Sequence, residues 1–133
     1  MTNVSRNKIN EPDYVLAHRE LVVLISSLNK QNASVLIEEL CTEAEKIMLV
    51  KRFAAILLFS HKYSAYRVAT VVGISVSTAQ RLYRQYEQAE FEGLLRCVTK
   101  KQQREFVSLI EDFLLSRVSH KARTRLARRA LNL

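Results

Sequence analysis

Residues 64–84 read Ser64-Ala65-Tyr66-Arg67-Val68-Ala69-Thr70-Val71-Val72-Gly73-Ile74-Ser75-Val76-Ser77-Thr78-Ala79-Gln80-Arg81-Leu82-Tyr83-Arg84. Ser64 offers a hydroxyl to the free N–H groups at the start of a helix. Gly73 suits the left-handed conformation that ends that helix and turns the chain sharply. Ser75 caps a second helix at once. Ala69 is small where the second helix must cross close over the first. Val68, Val72, Ile74, Ala79 and Leu82 supply a small apolar core between the two helices. Small, glycine and apolar positions all agree on a helix-turn-helix over about residues 64–86.

The second helix leaves Val76, Ser77, Thr78, Gln80, Arg81 and Arg84 for its outer face. In a helix-turn-helix the N-terminal residues of that helix enter the major groove of DNA. Ser77 and Thr78 suit base edges or phosphates, and Val76 suits a thymine methyl. Gln80 matches adenine, while Arg81 and Arg84 match guanine or phosphate. Tyr66 and Arg67, early in the first helix, are placed for the backbone. Tyr83 and Tyr86 read as packing residues.

The whole chain supports an all-α fold. It has 133 residues, with only two Gly and one Pro. A β-sandwich or barrel, and a glycine-rich nucleotide-binding loop, draw on far more of both. Before the motif, Pro12 opens a first helix that ends near Asn29 or Asn32, and a short second helix carries Val35, Leu36 and Leu40. Thr42-Glu43-Ala44-Glu45 is a capping box that starts a third. Its apolar set, Ile47, Leu49, Val50, Phe53, Ile56 and Leu57, wraps more than half the helix and predicts a central position. After the motif, residues 89–98 predict a short helix with Phe91, Leu94 and Leu95 buried. Thr99 caps a longer one carrying Phe106, Leu109, Ile110, Phe113 and Leu114. Residues 1–11 form a flexible N-terminus, 12–115 the helical domain and 116–133 a basic C-terminal tail.

Charge is strongly blocked along this order. The net charge is +8, which points to a polyanionic partner. Residues 31–45 hold Glu38, Glu39, Glu43 and Glu45 and no base. Residues 46–86 hold Lys46, Lys51, Arg52, Lys62, Arg67, Arg81 and Arg84 and no acid. Residues 113–133 add Arg117, Lys121, Arg123, Arg125, Arg128 and Arg129, again without an acid. Solubility charge would be interspersed rather than blocked.

The stretches Leu40-Cys41-Thr42-Glu43-Ala44-Glu45, Lys51-Arg52-Phe53-Ala54-Ala55-Ile56-Leu57-Leu58 and Ser64–Arg81 together resemble the tryptophan-repressor-like superfamily, over about residues 31–95. The resemblance implies an all-helical, intertwined homodimer that binds palindromic operators in double-stranded DNA and represses transcription. It also implies a small-molecule co-repressor pocket between the capped helix and the recognition helix, held by Arg81 and by Lys51 or Arg52. The family's Thr-Pro-Asp-Glu start is Thr42-Glu43-Ala44-Glu45 here. The glycine expected after the late arginine is Leu82, a bulky group where a ligand would approach. Both departures argue against tryptophan as the ligand.

The tail, from Arg117 onward, fits either an Arg-rich helix with a faint Val118, Ala122, Leu126, Ala130 stripe or a segment disordered until it meets phosphates. In both cases Lys121, Arg123, Arg125, Arg128 and Arg129, with Lys62 elsewhere, are expected to contact the nucleic-acid backbone. A membrane-surface helix would want aromatic anchors that the tail lacks. Cys41 and Cys97 form no metal or disulfide pattern and read as reduced packing residues. His18, His61 and His120 fall in separate elements, and no paired carboxylates or nucleophile–base pattern stands out. No enzyme, cofactor or metal is expected. No run is long enough to span a membrane, and the N-terminus carries no apolar signal segment, so a nucleoid-associated place in the cytoplasm is expected. The expectation is a dimeric, sequence-specific DNA-binding transcriptional regulator. The alternatives are a mobile-element or phage DNA-binding protein, and an RNA-binding protein led by the Arg-rich tail.

Overall fold

The structure, a computed structural model, describes residues 11–116 and 120–132. Eight α-helices and no strand occur among them: α1 (Glu11–Ser26), α2 (Lys30–Leu40), α3 (Glu43–Ser60), α4 (Ala65–Val72), α5 (Val76–Glu87), α6 (Glu92–Cys97), α7 (Lys100–Leu115) and α8 (His120–Leu131). The expected flexible N-terminus lies outside the described residues except for Glu11, which opens α1. Arg117 and Val118 also lie outside them. The chain divides into two compact units, Met1–Lys46 and Ile47–Leu133, with the boundary inside α3. The basic stretch expected as a separate tail therefore belongs to the same unit as the helix-turn-helix.

The first unit is held by local polar bonds. The Asn29 side chain caps α2 by accepting from the Asn32 N–H at 2.8 Å. The capping box at α3 forms in both directions. The Thr42 N–H donates to Glu45 at 2.8 Å, and the Glu45 N–H donates to the Thr42 hydroxyl at 3.2 Å. Lys46 binds Glu38 of α2 at 2.6 Å and also Glu43. These two carboxylates, Glu38 above all, hold the Lys46 ammonium above its usual range. Apolar burial is missing: no residue of 12–46 is buried.

The second unit has a true core. Its centre is the C-terminal half of α3, where Ala54 to Phe59 are all at most 2% exposed. Six consecutive buried residues cover every side of a helix, so this segment is surrounded. Val68, Leu82 and Val107 pack with it, supported by Phe53, Tyr83, Tyr86, Leu95, Phe106 and Ile110. Phe53 meets Phe106 edge-on at 4.9 Å, and Phe59 lies 5.2 Å from Tyr83. The expectation that α3 is apolar and central is met only in this half. Ile47, Met48, Leu49 and Val50 are each more than 40% exposed.

Past the motif the details differ from expectation. The helix expected from Ala89 begins at Glu92 instead, because Ala89 takes a left-handed φ of 60° and interrupts the chain. Leu94 and Leu95 are half-buried, and Cys97 is exposed rather than packed. Phe113 is 52% exposed, and the side chain of Leu114 lies outside the described residues. Thr99 and Gln102 cap α7 reciprocally.

Gln103 on α7 is 1% exposed, and its amide donates to the carbonyls of Leu95 at 3.0 Å and Val98 at 2.9 Å. These carbonyls belong to the end of α6, where helical partners run out. Gln103→Leu keeps the bulk and removes both bonds. It is expected to cost about 1–3 kcal/mol, the penalty for unpaired buried polar groups, in a urea titration. A loss below about 0.5 kcal/mol would mean that water reaches these carbonyls instead.

Candidate nucleic-acid interface

α4 and α5 are built by their caps. The Ser64 hydroxyl accepts from the Arg67 N–H at 3.2 Å, and the Ser75 hydroxyl accepts from the Thr78 N–H at 3.1 Å. Gly73 closes α4 in the left-handed region, with φ 74° and ψ 48°. The N–H groups of Gly73 and Ile74 both return to the Ala69 carbonyl, at 3.0 and 3.1 Å. Lys51, from α3, donates its ammonium to the Gly73 carbonyl at 2.8 Å. The turn is thus held from below as well as by its own bonds. Ala69 is 5% and Ala79 0% exposed, consistent with small residues at the crossing. Val68, Ala79 and Leu82 are buried, while Val72 and Ile74 are half-buried.

On α5, Val76, Ser77, Gln80, Arg81 and Arg84 are exposed and Thr78 is half-buried. Their spacing places Val76, Ser77, Gln80, Arg81 and Arg84 along one stripe of the helix. Among the described residues no side-chain hydrogen bond or ion pair engages Gln80, Arg81 or Arg84. The Thr78 hydroxyl accepts from Ser75 at 2.8 Å, and Ser77 lies 3.2 Å from Ser75. Both hydroxyls therefore share in the cap as well as facing outward.

On α4, Tyr66 is 71% exposed, and Arg67 is exposed too. The Arg67 guanidinium sits 4.4 Å from the centre of the Tyr63 ring. Tyr63 donates its hydroxyl proton to Glu111 of α7 at 2.7 Å. That bond, with partial burial, raises the Tyr63 phenol above its ordinary range, and Arg67 pulls weakly the other way. Tyr63 and Glu111 were not foreseen in the sequence, because nothing local links positions 48 residues apart. Lys62 is exposed in the turn after α3, with a left-handed φ of 66°.

The expected ligand pocket is nearly closed. Lys51, Arg52 and Arg81 do converge, with Met48, Ile74, Thr78 and Leu82, on one cleft. Its cavity volume is about 10 Å³, room for one water at most. The bulky Leu82 is part of its lining, and Lys51 is already bound to the Gly73 carbonyl.

In the basic tail, some of the cations expected on phosphates already have partners within the chain. Arg125 and Arg129 of α8 both reach the carboxylate of Asp112 on α7, at 3.1 and 3.2 Å. Arg129 also donates to the Ser108 hydroxyl at 3.0 Å. Arg123 donates through Nε to the Ser116 carbonyl at 2.7 Å. Lys121 and Arg128 are exposed, without a partner among the described residues. One signal for Asp112 was present in the sequence: it is the last acid before a stretch of bases.

Adding a Cβ to Gly73 would bring it no nearer than 3.7 Å to any atom, the Lys51 ammonium. Gly73→Ala is therefore expected to cost only the left-handed backbone strain, about 1–2 kcal/mol. Thermal unfolding should show this without loss of helix content, and an unchanged Tm would mean that the turn relaxes out of the left-handed region.

Residues 49–95, from α3 through most of α6, match the family model of a homeodomain-like domain. No curated protein and no solved structure matches the chain. Capped helices, a left-handed turn and this match agree: residues 64–87 form a helix-turn-helix within a segment similar to a homeodomain-like domain.

Proposed function

We propose that the protein is a sequence-specific DNA-binding transcriptional regulator, a repressor acting as a homodimer. The observation that carries the DNA reading is the stripe of unpaired side chains on α5. Gln80, Arg81 and Arg84 stand exposed on a helix whose cap and turn are fixed from three sides. Gln and Arg are the side chains that read adenine and guanine edges by paired hydrogen bonds. Val76, Ser77 and Thr78 complete the groove-facing set, with Tyr66, Arg67, Lys62 and the basic helix α8 on the phosphates. Its working place is the nucleoid. The sequence resemblance to the tryptophan-repressor-like superfamily supports the same reading. The closed cleft at Lys51, Arg52 and Arg81 favours a regulator that needs no indole-sized co-repressor.

The dimer rests on exposed apolar surface. Tyr14, Val15, Leu16 and all of Leu21 to Ile25 on α1 are 44–57% exposed. Val35, Ile37 and Leu40 on α2 are equally open. Consecutive apolar residues at 22–25 point in every direction around a helix. No single flat contact covers them, so α1 needs neighbours on several sides, as in an interlocked pair of chains. Leu21, Leu24, Val35, Leu36 and Leu40 line a groove of about 510 Å³ between α1 and α2, wide enough to seat side chains of a partner helix. Each such side chain contributes about 1.5–3 kcal/mol when fully buried.

The experiment is selection of bound sequences from a randomised duplex library. The expected outcome is an enriched palindrome with half-sites about one helical turn apart. Arg81→Ala is expected to lose about 1–3 kcal/mol and relax the preference at one base position. Binding without enrichment, or an Arg81→Ala protein with unaltered preference, would reject the recognition-helix assignment. A folded RNA outcompeting every duplex would favour an RNA-binding protein instead. Sedimentation is expected to give twice the chain mass, and Leu24→Glu to shift it towards the monomer. A wild-type monomer at micromolar concentration would reject the dimer.

A further inference from the structure

We propose that α8 is a docked DNA-contacting helix in which Asp112 acts as an internal phosphate: it occupies the guanidiniums of Arg125 and Arg129, leaving Lys121 and Arg128 to meet the duplex backbone. This inference rests on the DNA-binding reading and adds a residue that limits sequence-independent affinity. α8 carries Lys121, Arg123, Arg125, Arg128 and Arg129 and no acid. An unattached segment of that composition would offer every cation to phosphates.

The structure sorts them instead. Asp112 is one of two buried polar residues among those described, at 6% exposed. Its two oxygens each take one guanidinium, Arg125 at 3.1 Å and Arg129 at 3.2 Å. A carboxylate bonded to two arginines offers the same charge-assisted acceptors as a phosphodiester. Arg129 is further fixed by the Ser108 hydroxyl at 3.0 Å, and Arg123 holds the Ser116 carbonyl. Residues 125 and 129, one turn apart, share the face turned to α7. Residues 121 and 128, about two turns apart, lie along the edge of that same side, with 121 one turn before 125, so pairing with Asp112 rather than position on the helix separates the two sets. Lys121 and Arg128 are exposed, with no partner among the described residues. Their open charge complements a polyanion. Duplex DNA is the occupant, because α8 belongs to the same compact unit as the helix-turn-helix.

The consequence concerns specificity. Phosphate contacts raise affinity for every sequence alike, while base contacts separate them. Two arginines bound to Asp112 are two fewer sequence-independent contacts. Asp112 thus keeps random DNA from competing with the α5 target.

The test measures the salt dependence of binding by the full chain, to the selected duplex and to a random one. Each phosphate contact contributes about 0.9 to the slope of log affinity against log salt. Lys121→Gln with Arg128→Gln is expected to flatten the slope by about 1.8 on both duplexes. Arg125→Gln with Arg129→Gln is expected to leave it unchanged. Asp112→Asn provides the independent check, since it releases both guanidiniums. It is expected to steepen the slope by up to about 1.8 and to tighten random-duplex binding more than selected-duplex binding. Equal flattening by the two double variants, or an Asp112→Asn slope no steeper than wild type, overturns the proposal. If those results appear while Arg81→Ala still relaxes the preference at its base position, only this inference fails. A wild-type chain without duplex affinity, or one that prefers folded RNA, rejects the DNA reading and this inference with it.

Discussion

The surrounded half of α3 is the constraint on which the second unit depends. Ala54 to Phe59 have neighbours on every side, so the elements packed there cannot move independently. Val68 brings α4, Leu82 brings α5 and Val107 brings α7 to the same buried segment. The angle between α4 and α5 is then set twice. It is set by the alanines at their crossing and by the common helix beneath them. Lys51, near the middle of α3, adds a polar tie to the Gly73 carbonyl. A recognition helix must present its side chains within a fraction of an ångström to pair with base edges. The buried half-helix supplies that rigidity, and the exposed stripe on α5 depends on it.

The same helix shows why burial alone does not mark function. Its N-terminal half carries the apolar run Ile47 to Val50, and that run is open. Greasy helices are buried somewhere, and a monomer this size has little interior to offer. The exposed residues of α1, α2 and early α3 are the surface on which the proposed dimer rests. Their acidic flanks make the same separation in charge. Residues 1–46 carry five bases and seven acids, so the chain's net +8 divides into −2 there and +10 over residues 47–133. Self-association through the basic unit would set +10 against +10, and through the apolar one only −2 against −2, so charge repulsion opposes the second far less.

Local chemistry was legible in the sequence, and long-range pairing was not. Ser64, Gly73 and Ser75 announce their roles, because a cap or a left-handed turn is fixed by the residue at that position. The capping boxes at Thr42 and Thr99 are legible for the same reason. Ala89 in a left-handed turn was not, since alanine ordinarily belongs in a helix interior. The divided character of α3 was hidden as well: periodicity reports which residues want burial, not whether a neighbour is present. The candidate site divides the same way. The exposed stripe on α5 follows from helical spacing. The tie from Lys51 to Gly73 spans 22 positions, and that from Arg129 to Ser108 spans 21. Nothing in a spacing rule selects them.

A basic helix with two arginines bound to an internal carboxylate offers fewer of its cations to an external polyanion. Coulomb attraction between exposed cations and DNA is long-ranged and indifferent to sequence. Adding arginines therefore improves binding everywhere, and a genome offers vastly more wrong sites than right ones. Selectivity improves only when base-reading contacts grow relative to that background. A buried aspartate beneath two arginines keeps α8 folded onto α7 and lowers the background together. The same pairs that hold the fold at Asp112 thereby set how much of the chain's positive charge reaches DNA.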